Sequence, residues 1–436
     1  MRQTTVGSFG FSLDRPLHSE PDLETVADAY VYLLGRVLVI RQEHLDLDQT
    51  GADYNVIRYD PLGSTDGANP NFDIASLEAW LAVDDRTPAV IEVPEIINRY
   101  YTIQVIDEWG DVIANINPRT FPSHPHGTFV FVTPNAKVKA SPDAARIVLR
   151  SNKAKVLARI EVRQDRDGVV RLQRRLAVAS HNNPSIIPAP PLPTFGNREL
   201  LGVEIFEGAE HVLESALDTL PGAAALQQKV RVVARYAESG RAARQELEAV
   251  LREHVIPDFL AYASKESVAS RNHWRTSYYP LRANTTTADY RLRTATNLGA
   301  IWTNLPDELV TFQTTRDATG RLLNGGSTYV MQFAPNECPG SVVGGPWSMT
   351  LLTVPGHRVI PNPLDRFLLN SHSALARERD GSLRIFVGPR LPEGAPVSNW
   401  LPSSDWKAFQ LTLRAYIPHD VVKRGEWFPP APAAVM

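Results

Sequence analysis

Two series of short apolar segments, separated by a helical stretch, constrain the fold of this chain more than any other feature. Each segment is rich in β-branched and aromatic residues and is bounded by Gly, Pro or Asn, a pattern typical of β-strands. Such closely spaced turns need many turn residues, and the 436-residue chain contains 34 prolines and 26 glycines. The first series is AVIEVPEI, RYYTIQVIDEW, DVIANI, GTFVFVTP, ARIVLR and KVLARIEV; the second is STYVMQF, WSMTLLTV, LRIFVG and FQLTLRAYIP. The sequence therefore predicts two β domains, the second a sandwich or jelly roll.

Helical periodicity occurs before and between these series. Apolar residues recur at helical intervals from Leu23 to about Glu43. A proline-rich connector, NNPSIIPAPPLPTFGN, follows the first β series, and amphipathic helices with a break at Ser239–Gly240 follow the connector. We expect a mixed, mainly β fold. Its predicted divisions are an N-terminal helical segment (1–50), a β domain (51–180), a connector with helices (181–300) and a C-terminal β-sandwich (301–436).

Composition and motifs exclude several classes of function. A net charge of -3 gives no basic field for nucleic acid. The single cysteine, Cys338, excludes an internal disulfide framework and a Cys-rich zinc site. The apolar run VYLLGRVLVI is too short to cross a bilayer and no signal peptide is seen, so we expect a cytoplasmic protein. His124 and His126 flank Pro125, and no phosphate-binding loop is present, so we expect no metal and no other cofactor.

Acidic residues in the first β domain are candidates for acid–base chemistry. Asp73 precedes a strand, and Asp107 follows the alternating segment RYYTIQVID. Two carboxyl groups in different environments can serve as acid and base, with Arg99 to hold an anionic substrate group and Asn71 as a further binding residue. The alternative is structural: Asp107 forms a turn with Asp111, and Arg99 forms an ion pair.

Aromatic side chains in loops are candidates for binding a substrate. The stretch SNWLPSSDW places Asn399, Trp400 and Trp406 in one loop near the end of the chain, and Trp109 lies in a predicted turn. Indole rings either fill a core or stack on a ligand. We expect Trp400 to be largely buried at the end of the sandwich. Trp109 and Trp406 are the candidates for stacking on a substrate, with Asn399 as a polar contact.

The residues also resemble two families that usually occur together. NFDIASLEAWLAVDDRTPAVIEVPEIINRYYTIQVIDEWGDVIANI (71–116) resembles the DUF1254 family. The C-terminal part is similar to the DUF1214 family in DATGRLLNGGSTYVMQF, PWSMTLLTV, NPLDRFLLNS, RDGSLRIFVG, SNWLPSS, LTLRAYIP and GEWFPP. The resemblance implies two β domains, of which the C-terminal one is jelly-roll-like, in a protein that often oligomerises. It implies no particular reaction.

Two functions are consistent with these observations. The first is a metal-independent enzyme, of hydrolase or lyase type, that acts on a small organic or sugar-like substrate in a cleft between the β domains. Asp73 and Asp107 would then be catalytic, and Asn71, Arg99, Trp109, Asn399 and Trp406 would bind the substrate. The second is a non-catalytic protein whose jelly roll binds glycans or further copies of itself. In either case we expect a homo-oligomer that binds neither nucleic acid nor a membrane.

Overall fold

A computed structural model describes residues 20–63, 72–139, 141–179, 183–277, 289–404 and 407–435. Two predicted site residues, Asn71 and Trp406, lie outside the described residues. Within the described part of the chain, the order of elements agrees with the sequence-based expectation. A helix comes first, then a β domain, a helical region and a second β domain, and the strands form four sheets.

The first helix, α1 (Leu23–Leu47), is buried on nearly every side. Asp22 caps its N-terminus by accepting a hydrogen bond of 2.7 Å from a backbone amide of the first turn. The helix continues one turn beyond its predicted end near Glu43. Arg36, Glu43 and Asp46 are buried along its length and therefore need charged partners.

The first β domain is a sandwich of two sheets with one core between them. The strand order is β1-β2-β8-β4-β5 in one sheet and β7-β6-β3-β9 in the other, and every pair is antiparallel except β6–β7. The strands are β1 (Arg58–Tyr59), β2 (Ile74–Ala82), β3 (Ala89–Val93), β4 (Tyr101–Ile106), β5 (Val112–Ile116), β6 (Gly127–Val132), β7 (Ala145–Val148), β8 (Lys153–Glu161) and β9 (Ala177–Ala179).

The end of this domain differs from the expectation of strands alone. Residues Arg166–Arg175 form a helix, α2, and the strand β9 comes only after it. Asp165 caps this helix by accepting a hydrogen bond of 2.7 Å from the Gly168 amide. Val169 is buried in the sandwich core while charged residues face outward, which is the pattern of a surface helix.

Five further helices complete the helical region, in which α4 and α7 pack against α1. They are α3 (Ala209–Glu214), α4 (Ala223–Glu238), α5 (Arg241–Val250), α6 (Ile256–Ala261) and α7 (Tyr290–Ala300). The predicted break at Ser239–Gly240 separates α4 from α5. These helices share one apolar core with α1.

The second β domain is the predicted jelly-roll-like sandwich, and its two sheets enclose a core of their own. The strand order is β10-β11-β12-β18-β14-β15 in one sheet and β17-β16-β13-β19 in the other. The strands are β10 (Val268–Arg271), β11 (Trp274–Ser277), β12 (Leu309–Thr314), β13 (Tyr329–Phe333), β14 (Trp347–Thr353), β15 (Leu368–Asn370), β16 (Leu383–Gly388), β17 (Trp400–Pro402), β18 (Phe409–Tyr416) and β19 (Ala433–Ala434). A short helix, α8 (Asp420–Lys423), follows β18.

The two sandwiches meet through the polar faces of their sheets. On β8 the core-facing residues are Ala154, Val156, Ala158 and Ile160, and the opposite face carries Lys153, Lys155, Leu157, Arg159 and Glu161. On β18 the core-facing residues are Leu411, Leu413 and Ala415, and the opposite face carries Gln410, Thr412 and Arg414. An outward-facing sheet surface is polar because it usually meets water. Here much of that surface is buried, so its polar groups need partners within the protein.

Candidate ligand site between the two β domains

A cavity of about 580 Å³ lies where the first sandwich, helix α7 and the second sandwich meet. Arg159 of β8 lines one side of it. The loop that follows α7 lines a second side, through Trp302, Thr303 and Asn304. Strands β11, β12 and β18 line the rest, with Gln410 of β18 among their contributions. The volume is in the range that holds a small organic ligand.

Two buried polar residues of the cavity lining are incompletely hydrogen-bonded. Thr276 and Asn304 are 3% and 2% exposed. Among the described residues, Thr276 Oγ1 and Asn304 Nδ2 are buried atoms with no hydrogen-bond partner. A buried polar group without a partner costs roughly 1–3 kcal/mol, so such groups are rare in folded proteins. Both residues belong to the cavity lining, although the two atoms themselves are inaccessible to a water-sized molecule.

The cavity carries positive charge without a matching negative charge. Arg159, Arg275, Arg316 and His273 line it, and no Asp or Glu is among the described residues that do. Arg159 donates to the side-chain oxygen of Gln104 over 2.6 Å. Arg275 and Arg316 donate to backbone carbonyl groups. Among the described side chains, which do not include that of Glu266, none of these three arginines has a carboxylate partner.

Other cations on the same sheet face are neutralised by carboxylates. Lys153 lies 2.7 Å from Glu43 Oε1, and Lys155 lies 2.6 Å from Asp46 Oδ2. Both lysines are nearly inaccessible to solvent, and each has a second carboxylate within 3.3 Å. Arg159 belongs to the same row of β8 yet faces the cavity with an uncharged partner. The excess positive charge is therefore concentrated at the cavity.

His273 is held at the cavity rim by a tight turn. Arg271 and Trp274 pair across the β10–β11 hairpin, so Asn272 and His273 form a two-residue connection. Both have positive φ, 55° for Asn272 and 63° for His273, as a type I′ turn requires. Asn272 also donates to the Pro429 carbonyl over 3.1 Å, which anchors the turn. The imidazole is exposed at the rim, in reach of solvent and of a bound molecule.

Comparison with protein families identifies both β domains. Residues 54–180 match the model of DUF1254, and residues 308–420 match the model of DUF1214; each is described as a protein of unknown function. The chain combines a DUF1254 domain with a DUF1214 domain. This confirms the resemblance drawn from the sequence for both parts of the chain. The cavity lies at the boundary of the two, with Arg159 from the DUF1254 domain and Gln313 from the DUF1214 domain on its walls.

One solved structure shares the overall architecture. The VPA0106 protein from Vibrio parahaemolyticus superposes with a TM-score of 0.71 at 20% identity, over 95% of this chain and 100% of that chain. A putative uncharacterized protein from Burkholderia cenocepacia gives a TM-score of 0.42 at 12% identity, over 95% of this chain and 92% of that chain. No curated protein matches. The first likeness shows that the arrangement of both domains and the helices is a shared fold.

Two absences apply to the described residues. No helix in the described ranges is both long enough and apolar enough to span a membrane. In the same ranges, no three or more His, Cys, Asp or Glu side chains are grouped so that they could hold a metal ion.

The two predicted catalytic acids lie at opposite ends of the same sheet. The Val162 amide donates to the Asp73 carbonyl, whereas Ile106, the residue before Asp107, pairs with Lys155. Seven residues separate Val162 from Lys155, which corresponds to about 23 Å along the strand. Carboxyl groups that act on one substrate through a water lie within about 10 Å of each other. The paired mechanism is therefore excluded by geometry, and neither acid lines the 580 Å³ cavity.

Asp107 stabilises the turn that contains Asp111, which was the structural alternative to a catalytic role. Its Oδ1 accepts hydrogen bonds of 2.9 Å from the Trp109 and Asp111 amides, and its Oδ2 lies 2.6 Å from Arg150. Burial, followed by the negative charge of Asp111, raises the pKa of Asp107 to about 6. The raised pKa thus has a structural cause.

We expect Asp107 to impose a pH dependence on stability. Because folding raises its pKa from 3.8 to about 6, the folded state binds its proton more tightly. Its contribution to stability is therefore complete below the unfolded pKa and is lost as the pH rises through about 6. Asp107→Asn should flatten this part of the profile in urea unfolding between pH 4 and pH 7. Asp143→Asn, at an exposed position, is the control, and an unchanged slope in Asp107→Asn would contradict the assignment.

Asp73 joins the two domains. Its carboxylate accepts a hydrogen bond of 2.6 Å from Asn370 Nδ2 of the DUF1214 domain, and burial raises its pKa. Beside it, His372 Nε2 lies 2.6 Å from Glu161 Oε1. The cavity between these residues and Trp347 measures about 20 Å³, enough for one water but not for an organic substrate. These contacts hold the domains together.

The predicted binding residues that the structure describes, Arg99, Trp109 and Asn399, make contacts within the fold. Arg99 donates to backbone carbonyls after β8 and pairs with Asp165 over 2.8 Å, as the structural alternative stated. Trp109 is fully buried in the helical core. Asn399 is 1% exposed, and its amide bonds only groups within its own domain. Trp400 is partly buried, and its indole N–H donates to the Gly388 carbonyl over 2.9 Å.

Sequence reasoning missed the residues that line the cavity. Arg159 lies within KVLARIEV, where alternation with apolar residues is typical of a solvent-facing side chain. Arg275 and His273 belong to a hairpin in the connector that we had not predicted. The available signal was the dipeptide Asn272-His273 between two β-branched or aromatic runs, which favours a hairpin but says nothing about its position relative to β8.

Proposed function

We propose that the protein binds a small organic anion in the cavity between its DUF1254 and DUF1214 domains. The observation that carries this proposal is the charge of the walls: they contain three arginines, and among the described side chains there is neither a lining carboxylate nor a carboxylate partner of any of the three. Guanidinium groups bind carboxylates and phosphates through paired hydrogen bonds. An anion in the cavity would neutralise charge that the chain leaves uncompensated.

The rest of the lining supports an organic ligand with hydroxyl or other polar groups. Thr276 Oγ1 and Asn304 Nδ2 lack partners, and several further threonine and glutamine side chains face the space. Trp302 and Leu309 provide apolar surface for a carbon skeleton. This combination suits a hydroxylated organic acid or an acidic sugar better than an inorganic ion, which would leave most of the cavity unfilled.

Turnover of the ligand, if the protein is an enzyme, would rely on His273. It places an imidazole on the cavity lining, and imidazole is the side-chain group that most often serves as a general acid or base. The arginines would hold the anionic group and stabilise negative charge that develops during reaction. The proposed reaction type is still a metal-independent hydrolysis or elimination. The proposed acid–base group is now His273 in the cavity, in place of Asp73 and Asp107.

Replacing Arg275 should weaken binding of every anionic ligand. Charge-assisted hydrogen bonds contribute about 1.5–3 kcal/mol, so we expect Arg275→Gln to lower affinity roughly 10- to 100-fold. Isothermal titration of organic acids, acidic sugars and phosphate esters, with matched neutral sugars, measures this. Arg379→Gln, at an exposed position outside the cavity, is the control.

Binding that prefers neutral sugars and is unchanged in Arg275→Gln would overturn the proposal. That result would favour the glycan-binding alternative. Assembly into stable oligomers with no affinity for any of these compounds would favour the self-assembling alternative, and light scattering of the wild-type protein provides that comparison.

A further inference from the structure

We infer that the ligand carries an anionic group at each of its two ends, and this inference rests on the proposed anion-binding function. The cavity arginines are not gathered at one point. They form two groups at different positions along β12, and the two groups come from different parts of the chain. A ligand with one charge can neutralise only one group.

The first group is formed by Arg275, Arg316 and His273. Arg275 lies opposite Gln313 in the β11–β12 pairing. Arg316 follows β12 and donates to the Gly320 carbonyl over 2.7 Å. His273 lies two residues before Arg275 on the same hairpin, and all three side chains line the cavity. This end of the cavity therefore contains two guanidinium groups and an imidazole.

The second group is Arg159, which lies at the opposite end of β12. Arg159 pairs with Thr102, and its charge acts on the neighbouring Tyr100 hydroxyl. That hydroxyl donates to Glu308 over 3.1 Å, so Tyr100 and Arg159 are located where β12 begins. The Tyr100 ring is also 5.0 Å from that of Tyr416, the residue that pairs with the first residue of β12.

The register of β12 sets the distance between the two groups. Leu309 marks the Arg159 end, and Gln313 marks the position of Arg275. Four residues of strand separate these positions, or about 13 Å between their Cα atoms. Arg316 lies still farther from Leu309 along the chain. The ligand must therefore be elongated if both groups are to bind it.

The surface between the two ends suits an uncharged carbon body. Ala295 and Ala300 of α7, with Trp302 and Leu309, supply apolar contacts. Thr311, Gln313 and Gln410 of the lining can bond hydroxyl or carbonyl groups along the body. The ligand class that fits is an organic dianion with terminal carboxylates or phosphates, bridging Arg159 of the DUF1254 domain and Arg275 at the other end.

A series of probes tests this directly. Isothermal titration of the full chain would compare straight-chain dicarboxylates, from succinate to sebacate, with monocarboxylates of the same length. We expect the best dicarboxylate to bind at least about tenfold more tightly than its monocarboxylate, because a second charge-assisted contact forms. Arg159→Gln should lower the affinity of the best dicarboxylate to about that of its monocarboxylate, whereas Arg275→Gln should weaken both classes.

The outcomes separate the two proposals. Equal affinity for both classes, with both weakened in Arg275→Gln, would overturn the two-ended ligand and leave anion binding intact. Loss of monocarboxylate binding in Arg159→Gln would also overturn it, since the ends would then not be independent. No binding of any anion by the wild-type protein would remove both proposals. Circular dichroism and thermal melting of each variant confirm that it is folded.

Discussion

Lys153→Met should lower the free energy of unfolding by about 3–5 kcal/mol, because it leaves buried carboxylates without their main counter-ion. The Lys153 ammonium lies 2.7 Å from Glu43 Oε1 and 3.3 Å from Glu108 Oε1. All three side chains are at most 3% exposed. After substitution, Arg36 is the remaining cation near them, 3.4 Å from Glu108.

The pH dependence of this loss distinguishes charge from packing. Burial raises the pKa of Glu108, and the charges of Arg36 and Lys153 oppose that rise. Removing Lys153 should raise the pKa of Glu108 further, so the folded variant can take up a proton. The deficit in stability should therefore shrink at acidic pH. A deficit caused only by altered packing would stay constant between pH 5 and pH 8.

Urea unfolding of the wild type and the variant measures both effects. Lys139→Met is the matched control, since the same change is made on the same domain at an exposed position. A loss below about 1 kcal/mol for Lys153→Met would mean that the buried ion pairs contribute little, as happens when desolvation cancels attraction.

Much of the fold follows from local patterns. Strands such as β14, β16 and β18 are apolar, β-branched and bounded by turn residues, so their existence is evident from their own sequence. Helix α1 is also evident from its sequence, because apolar residues recur at helical spacing over more than 20 residues and Asp22 is a favourable N-cap. The strand β2 was missed because IASLEAWLA mixes alanine, glutamate and leucine, which favour helix. Its pairing with β8 along the whole length outweighs that preference.

The candidate site does not follow from local patterns, because it depends on how separate sheets meet. The alternation in β8 (KAKVLARIE) is typical of a strand with one solvent-exposed face. In the structure, that face packs against α1 at one end and borders the cavity towards the other. The sequence around Arg159 does not reveal that the side chains next to it in space include no described carboxylate. The nearest carboxylates to Lys153 and Lys155 are Glu43 and Asp46 of α1, more than a hundred residues earlier in the chain.

The error about the acids has a specific cause. Asp73 and Asp107 each lie next to a strand end, and strand ends from one sheet were assumed to be neighbours. Both β2 and β4 pair antiparallel with β8. The start of β2 lies beside the end of β8, and the end of β4 lies near the start of β8, so the two positions are far apart along the strand direction. The register of a sheet is fixed by pairing over many residues, which single-sequence periodicity does not provide.

Trp109→Ala should destabilise the protein by about 3–5 kcal/mol, the usual loss when a buried large aromatic side chain is truncated. Trp109 is fully buried, and its ring lies 4.9 Å from that of Tyr32 on α1. The Arg293 guanidinium of α7 lies 4.7 Å from the ring centre, and the indole N–H donates to the Ala216 carbonyl over 3.3 Å. One side chain thus joins the DUF1254 domain to three parts of the helical region.

The same substitution decides between a core residue and a stacking platform. Trp109 does not line the cavity, so the affinity of folded Trp109→Ala for an organic anion should equal that of the wild type. Trp109→Phe keeps an aromatic ring beside Tyr32 and Arg293 but loses the hydrogen bond, so we expect a smaller loss of about 1–2 kcal/mol. Urea unfolding and titration of both variants measure these effects. If Trp109→Ala kept its stability within about 1 kcal/mol and lost affinity, the stacking role predicted from the sequence would be correct. The helical core would then have to be stabilised chiefly by contacts among its own helices.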